Sequence, residues 1–463
     1  PDLVHDIYRD TNQTPAGRLF AVGESCGPIP QDASHRKVTG PDTFAWHLGA
    51  SHSQLAAARA AVAFTEPRTR VAHIDTGYYR AHDTVPARVR RDLERNFVEQ
   101  DTDPRSAEDP DNRVLLLDNS GHGTGTLSIL AGGRSSAHGN AVLGGAPDAE
   151  VVPIRVADSV VLLRTSALAR AFRYAVEQRC DVVTLSMGGV PSRAWSEAVD
   201  EAYEAGLCIC AAAGNHVGIL PPRTLVYPAR FQRVIAVCGV MADGSPYADL
   251  EGASTLEGSF GPQSAMQAAI AAYTPNIPWA RFGCASAVRL NGEGTSAATP
   301  QVAAAVALWF EKYKNELPRD WRRIEAVRNA LFTTAKQKSD RGHFGNGILQ
   351  ANAALGVRPV PGLPNTPPAD DSFAFLRVIT GIGLSGPTSR EQMFNLELAQ
   401  RWLMNPELQD IVPDPGAPPR MTAATERRLM EAVIEDEAAS TGLRRHVAAR
   451  YPALHVLVNN AGI

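Results

Sequence analysis

Between Thr69 and Leu355 the chain alternates short, wholly apolar runs with longer stretches of helical period. The short runs are Val71 to Ile74, Val151 to Val156, Asp181 to Leu185, Leu207 to Ala212 and Val234 to Val240. Their Val, Ile, Leu, Cys and Ala content shows little polar alternation, which predicts strands buried on both faces, as in a parallel sheet. Ser166 to Gln178, Ser192 to Ala205, Ala297 to Lys314 and Trp321 to Thr334 read as helices. Gln54 to Ala63 adds an Ala-rich helix and Ile348 to Leu355 a short last one. Strands alternating with helices of about a dozen residues or more predict βαβ units with right-handed crossovers, hence an α/β fold. Tyr247 to Asn291 is long and irregular, and no element is assigned there.

The flanks differ from this centre. Residues 1–45 form an N-terminal extension of mixed composition, expected to wrap the domain of residues 46–358, with an inhibitory segment as the sharper reading. Pro359 to Pro368 holds five prolines and reads as a semi-rigid linker over 359–369. Residues 370–463 are expected to be helical. Ser389 to Gln392 has the form of a capping box before the amphipathic run Met393 to Met404, and Pro413 to Pro419 precedes a second helix, Ala423 to Ala439. This region carries no catalytic signature. It is expected to dock, either on the domain itself, on a regulatory partner, or on a second copy.

Composition narrows the function. The 463 residues are 44% apolar and 20% charged with net charge -4, which excludes wholesale disorder and a dominant face for nucleic acid or anionic lipid. No apolar run reaches the roughly 18–20 residues of a membrane-spanning helix. Six cysteines in so long a chain do not make a disulfide scaffold; they are expected to be reduced, mostly buried thiols. With no signal-peptide core in view, this points to the cytoplasm. No metal or cofactor is expected. Asp101, Asp103, Asp109 and Asp111 are the only candidates for calcium, and a solvated loop is the plainer reading.

The chemistry sits in four short segments. Asp75 lies in Ile74-Asp75-Thr76-Gly77, at the carboxyl end of the first strand. His122 lies in Gly121-His122-Gly123-Thr124-Gly125-Thr126, opening an apolar helix that runs to Ala131. Asn215 follows Ala212-Ala213-Gly214 at the end of a buried strand, and Ser296 lies in Gly294-Thr295-Ser296-Ala297, opening a long helix. A serine hydroxyl needs an imidazole to take its proton, and the imidazole needs a carboxylate to fix its tautomer. A helix N-terminus and an amide side chain supply donors where an oxyanion forms. Taken singly, each segment reads more plainly as a turn or helix entry. Together they place Asp, His, Asn and Ser at element ends in one chain order.

These motifs make the chain resemble the subtilisin-like serine proteases, the subtilases, over roughly Trp46 to Leu355. Pro300 and Val302 after the Ser296 motif, Tyr227-Pro228-Ala229, and Gly345-Asn346-Gly347-Ile348-Leu349 with Ala353-Ala354 add to the likeness, as does Trp46-His47-Leu48 at its start. The resemblance implies a three-layer fold, a mostly parallel sheet flanked by helices, with the C-terminal helical region appended. It implies a serine endopeptidase acting on protein or peptide through an acyl-enzyme. Ser296 would be the nucleophile, His122 the general base and acid, Asp75 the orienting carboxylate and Asn215 the oxyanion donor. Substrate would pair as an added strand with Ser186, Met187 and Gly188, opposite Ala212, Ala213 and Gly214, with Val226 at the pocket floor. Val226 stands where the family often has Gly, which implies a shallow pocket for small or medium apolar side chains. Ala297 stands where the family often has Met, which implies resistance to peroxide. The alternative is a latent or non-catalytic binding protein on the same fold. Asn459-Asn460-Ala461-Gly462 resembles a short-chain dehydrogenase motif, but no phosphate-binding loop accompanies it, so it reads as coincidence.

Overall fold

The computed structural model describes residues 26–98, 103–110, 121–162, 165–189, 193–217, 223–252 and 255–368, then 394, 397–398, 401–402, 405–412 and 422–450. Seven parallel strands make the central sheet. They are β1 (Arg70–Asp75), β2 (Arg95–Asn96), β3 (Glu150–Arg155), β4 (Val182–Leu185), β5 (Cys208–Ala212), β6 (Ile235–Val240) and β7 (Ala269–Tyr273). Their spatial order is β7-β6-β5-β4-β1-β3-β2. The helices around them are α1 (Leu55–Ala60), α2 (His122–Ala131), α3 (Thr165–Glu177), α4 (Arg193–Glu204), α5 (Thr295–Tyr313) and α6 (Trp321–Thr334).

The apolar runs explain the layering. Successive strand residues point to opposite faces. Val71, Val151, Val182, Cys208 and Ile235 join one core with α2, α5 and α6. Their neighbours Ala72, Val152, Val183, Ile209 and Ala236 join a second core with α3 and α4. Fully burying one Val, Leu or Ile side chain contributes about 1.5–3 kcal/mol, so each strand is held from both sides. The result is the three-layer α/β architecture expected, with additional helices near the C-terminus. No helix among the described residues is long and apolar enough to cross a membrane.

Several elements arise where the sequence suggested none, among them a sheet strand and a hairpin. Strand β7 (Ala-Ile-Ala-Ala-Tyr) extends the sheet at the edge of β6, and Ile277–Ala280 pairs antiparallel with Val288–Gly292. Alanine is a poor strand former, so packing on α5 and β6, and not local propensity, makes β7 a strand.

The flanks are also tied down. From residue 26 the chain lies along the 277–292 hairpin. The Ile29 carbonyl accepts from Leu290 N–H at 2.8 Å, and the Asn276 amide both accepts from Asp32 N–H at 2.7 Å and donates to its carbonyl at 2.8 Å. Lys37 bridges Asp32 at 3.2 Å and Glu293 at 2.6 Å. Cys26 is bonded to Cys284, with Cα atoms 5.8 Å apart across 258 positions of sequence. This corrects the expectation that the cysteines are all reduced; Cys180, Cys208, Cys210 and Cys238 remain free and buried. Part of the proline-rich segment is a docked strap. Thr366 N–H donates to the Tyr203 hydroxyl at 3.0 Å, its hydroxyl donates to Glu325 at 2.8 Å, and Arg233 donates to its carbonyl at 2.9 Å. Beyond it, Leu398, Trp402, Leu408, Leu429, Val433 and Leu443 belong to a separate small core. The second expected helix is present as Ala423–Glu435. The capping box at Ser389 to Gln392, much of Met393 to Met404, and the Asn459–Gly462 motif lie outside the described residues. Arg230 of the main domain stacks 4.9 Å from the Trp402 ring.

Candidate active site

Asp75, Asn215 and Ser186 stand at or just beyond the carboxyl ends of β1, β5 and β4; His122 and Ser296 stand in the first turns of α2 and α5. That edge of a parallel sheet is where strand ends and helix N-termini converge. Backbone chemistry brings them close. Gly123 lets α2 approach the turn after β1, because a Cβ there would sit 2.0 Å from the Gly77 carbonyl oxygen. Gly214 adopts φ +108°, a conformation few other residues accept, and turns the chain from β5 toward Asn215.

Asp75 is 1% exposed. Its Oδ1 accepts from His122 Nδ1 at 2.7 Å and from Thr76 N–H at 2.8 Å. Its Oδ2 accepts from the Thr126 hydroxyl at 3.0 Å. Burial pushes the Asp75 carboxyl up, but the charge and hydrogen bond of His122, the charge of His73 and the Thr76 N–H outweigh it and hold the group below its ordinary value. Arg155, buried at the end of β3, donates to the Thr76 carbonyl and pairs with Asp158, pinning the turn that follows Asp75. Trp279 of the hairpin meets the His122 ring edge-on at 5.4 Å. Gly125 makes room for it, since a Cβ there would lie 1.8 Å from the indole.

Helix α5 carries Pro300 four residues after Ser296. Proline has no N–H, so the Ser296 carbonyl has no helical partner. The Ser186 hydroxyl fills that role at 3.0 Å. In return the Ser296 hydroxyl donates to the Ser186 carbonyl at 3.3 Å. This pairing, and not a hydrogen bond to His122, is what engages the Ser296 side chain. Asn215 is oriented by its acceptor end: Oδ1 accepts from Thr295 N–H at 2.8 Å. The Thr295 hydroxyl donates to the Gly214 carbonyl at 2.9 Å. Asn215 is thus tethered to the first turn of α5, beside Ser296.

Val226 reaches across to both glycines of the expected substrate cleft. A Cβ on Gly188 would lie 2.3 Å from Val226 Cγ2, and one on Gly214 would lie 2.8 Å from Val226 Cγ1. Gly188 pairs with Val161 in a short parallel ribbon. Met187, Ala212 and Ala213 are buried in the adjoining wall. The sequence reading missed Thr126, Thr295, His73 and Trp279. Spacing offered a signal for three of them: Thr126 is one helical turn from His122, His73 is two strand positions from Asp75, and Thr295 adjoins Ser296.

Of the four calcium candidates, Asp103 and Asp109 lie among the described residues. Asp109 Oδ2 accepts from Gly121 N–H at 2.7 Å and Asp103 caps Arg105 N–H at 2.8 Å, while Asp101 and Asp111 lie outside the described residues. No group of three or more His, Cys, Asp or Glu among the described residues could hold a metal ion.

The model for the subtilase family matches residues 67–347. Subtilisin E of Bacillus subtilis (strain 168) is 28% identical over 292 residues, which is 63% of this chain and 66% of that protein. Subtilisin DY of Bacillus licheniformis is 31% identical over 239 residues, 51% of this chain and 78% of that one. Thermitase of Thermoactinomyces vulgaris is 27% identical over 288 residues, 62% of this chain and 88% of that one. Among solved structures, the prenylagaramide maturation protease PagA is 22% identical, with TM-score 0.48, over 65% of this chain and 96% of that one.

Proposed function

Because the chain belongs to the subtilase family, we propose that it is a serine endopeptidase that cleaves protein or peptide substrates through an acyl-enzyme. The observation that carries this reading is the buried Asp75–His122 hydrogen bond of 2.7 Å at the sheet edge where α5 presents Ser296. Ser296 attacks the scissile carbonyl while His122 takes its proton, and Asp75 holds the imidazole and its cation. The tetrahedral oxyanion takes hydrogen bonds from Asn215 Nδ2 and backbone N–H groups at the start of α5. His122 then protonates the leaving amine, and water repeats the sequence on the acyl-enzyme.

Substrate adds as a strand along Ser186 to Gly188. A strand that claims the Ser186 carbonyl displaces the Ser296 hydroxyl from it, so binding frees the nucleophile to turn to His122. Val226 between Gly188 and Gly214 limits the residue before the scissile bond to small or medium apolar side chains. The Cys26–Cys284 bond supports an oxidising compartment in place of the cytoplasm expected from sequence. No calcium is needed for the chemistry proposed.

The test is intact-mass spectrometry after incubation with a fluorophosphonate, on the native chain and on Ser296→Ala. A single adduct on the native chain, absent from the variant, is expected. No adduct on the native chain would replace this reading by the latent or non-catalytic one, which the resting Ser296–Ser186 pairing favours. The C-terminal helices and the N-terminal segment would then be the segments to delete.

A further inference from the structure

Behind Asp75 lies a second histidine that the reaction described above does not use. His73 is 2% exposed and sits two positions before Asp75 on β1, on the same face of the sheet. Its Nε2 is 2.8 Å from the Thr126 hydroxyl and 4.0 Å from Asp75 Oδ2. Thr126 is four residues after His122 on α2, which places both on one helical face. Strand and helix periodicities therefore converge on one carboxylate: His122 and Thr126 from α2, His73 and Asp75 from β1.

The Thr126 hydroxyl has one proton and three acceptors within reach: Asp75 Oδ2 at 3.0 Å, the Gly123 carbonyl at 3.3 Å and His73 Nε2 at 2.8 Å. Which it takes depends on His73. With a proton on Nε2, His73 is the donor and Thr126 must donate elsewhere, best to the charged carboxylate. With the proton on Nδ1, Nε2 would accept from Thr126 and Asp75 Oδ2 would lose its donor. We infer that His73 is a positioning residue for the triad carboxylate: its Nε2–H donates to Thr126, Thr126 donates to Asp75 Oδ2, and Oδ1 is left in register for His122.

The imidazole has to stay neutral for this. As a cation it would compete with the His122 cation for the same carboxylate. Burial pushes His73 down to about 4, against the pull of Asp75 and with the repulsion of His122. Those two are the titratable groups acting on it. Beside it, β3 contributes Pro153 and β4 contributes Thr184, neither of which titrates, and α2 contributes Thr126.

The inference rests on the endopeptidase reading for its consequence, but its test does not depend on turnover. In the 15N-histidine NMR spectrum of the full chain, His73 is expected as the neutral Nε2–H tautomer from pH 8 down to about pH 5. The variants are His73→Gln, whose amide can replace the Nε2–H donor, and His73→Leu, which cannot. His73→Leu removes the donor that orients and polarises the Thr126 hydroxyl, weakens the Thr126 hydrogen bond to Asp75 Oδ2, and moves the His122 Nδ1–H proton resonance downfield. His73→Gln leaves that resonance in place. In rate assays His73→Leu is expected to lower kcat about tenfold with KM little changed, the effect of about one hydrogen bond. Adding Thr126→Val to His73→Leu is expected to cost no more than Thr126→Val alone. An Nδ1–H tautomer or a charged His73 at pH 6 in the native chain would overturn the inference, whether or not the variants fold. So would equal losses in the Leu and Gln variants with the His122 Nδ1–H resonance unchanged. An inactive native chain that shows the expected tautomer and His122 shift would overturn the endopeptidase reading alone.

Discussion

Asn215 is held at one end and open at the other. Its Oδ1 is tied to Thr295 N–H, and no hydrogen bond among the described residues occupies its Nδ2. Asn215→Ala is expected to lower kcat about 10²–10³-fold with KM little changed, because the donor is used in the transition state. A raised KM at constant kcat, measured on a chromogenic peptide, would show that Asn215 only binds substrate. Val226 makes the second residue-scale prediction. Val226→Gly opens the space against Gly188 and Gly214, and should move the kcat/KM ratio of Phe over Ala substrates upward by about tenfold or more. A native enzyme that already prefers Phe, Arg or Lys would remove the steric premise. Asp75, His122, Asn215 and Ser296 were legible in the sequence because each sits in an unusual backbone setting of glycines and small residues. His73 and Trp279 were not. A histidine inside an apolar strand and a tryptophan in an unassigned loop acquire meaning only from distances across the fold.

At the scale of elements, strands with continuous Val, Ile and Leu were legible, and so were their alternating helices. Strand β7 was not, since Ala-Ile-Ala-Ala-Tyr has no local preference that opposes a helix. The hairpin at 277–292 was missed for a related reason: a ribbon beside the site is fixed by what it packs on, here the His122 ring and the N-terminal segment from residue 26. Nor does a pair 258 positions apart leave a spacing signature. The Cys26–Cys284 bond predicts that the denatured, unreduced chain titrates four thiols with an aromatic disulfide reagent, and the folded chain almost none, because Cys180, Cys208, Cys210 and Cys238 are buried. Six thiols in the unreduced chain would discard the bond. Replacing both partners by Ser is expected to lower unfolding stability by roughly 2–5 kcal/mol, read as an earlier denaturant midpoint.

For the whole molecule, acid is the expected weak point. Burial drives His47 down to about 3 and His73 to about 4; for His216, burial and then Arg223 lower it to about 4. The unfolded chain protonates these histidines near 6.5, so it binds more protons than the native state between that pH and about 4. Stability therefore falls as pH drops through this window, each group contributing at most about 1.4 kcal/mol per pH unit, and their contribution levels off below it. Melting temperatures from pH 7 to pH 4.5 should show the slope. Among the described residues neither ring nitrogen of His47 has a hydrogen-bond partner, so His47→Leu should flatten the slope without loss at pH 7. A slope equal to the native one would exclude His47 from the effect. The chain order of the site has a further consequence, for biosynthesis. A ribosome delivers Asp75 and His122 early, Asn215 later and Ser296 last. Helix α5 packs across β7, β6, β5 and β4, and so has its full seat only once those strands exist. On the function proposed above, a half-made chain holds a base without a nucleophile, and it does no harm to itself or to the polypeptides around it until the domain is nearly whole.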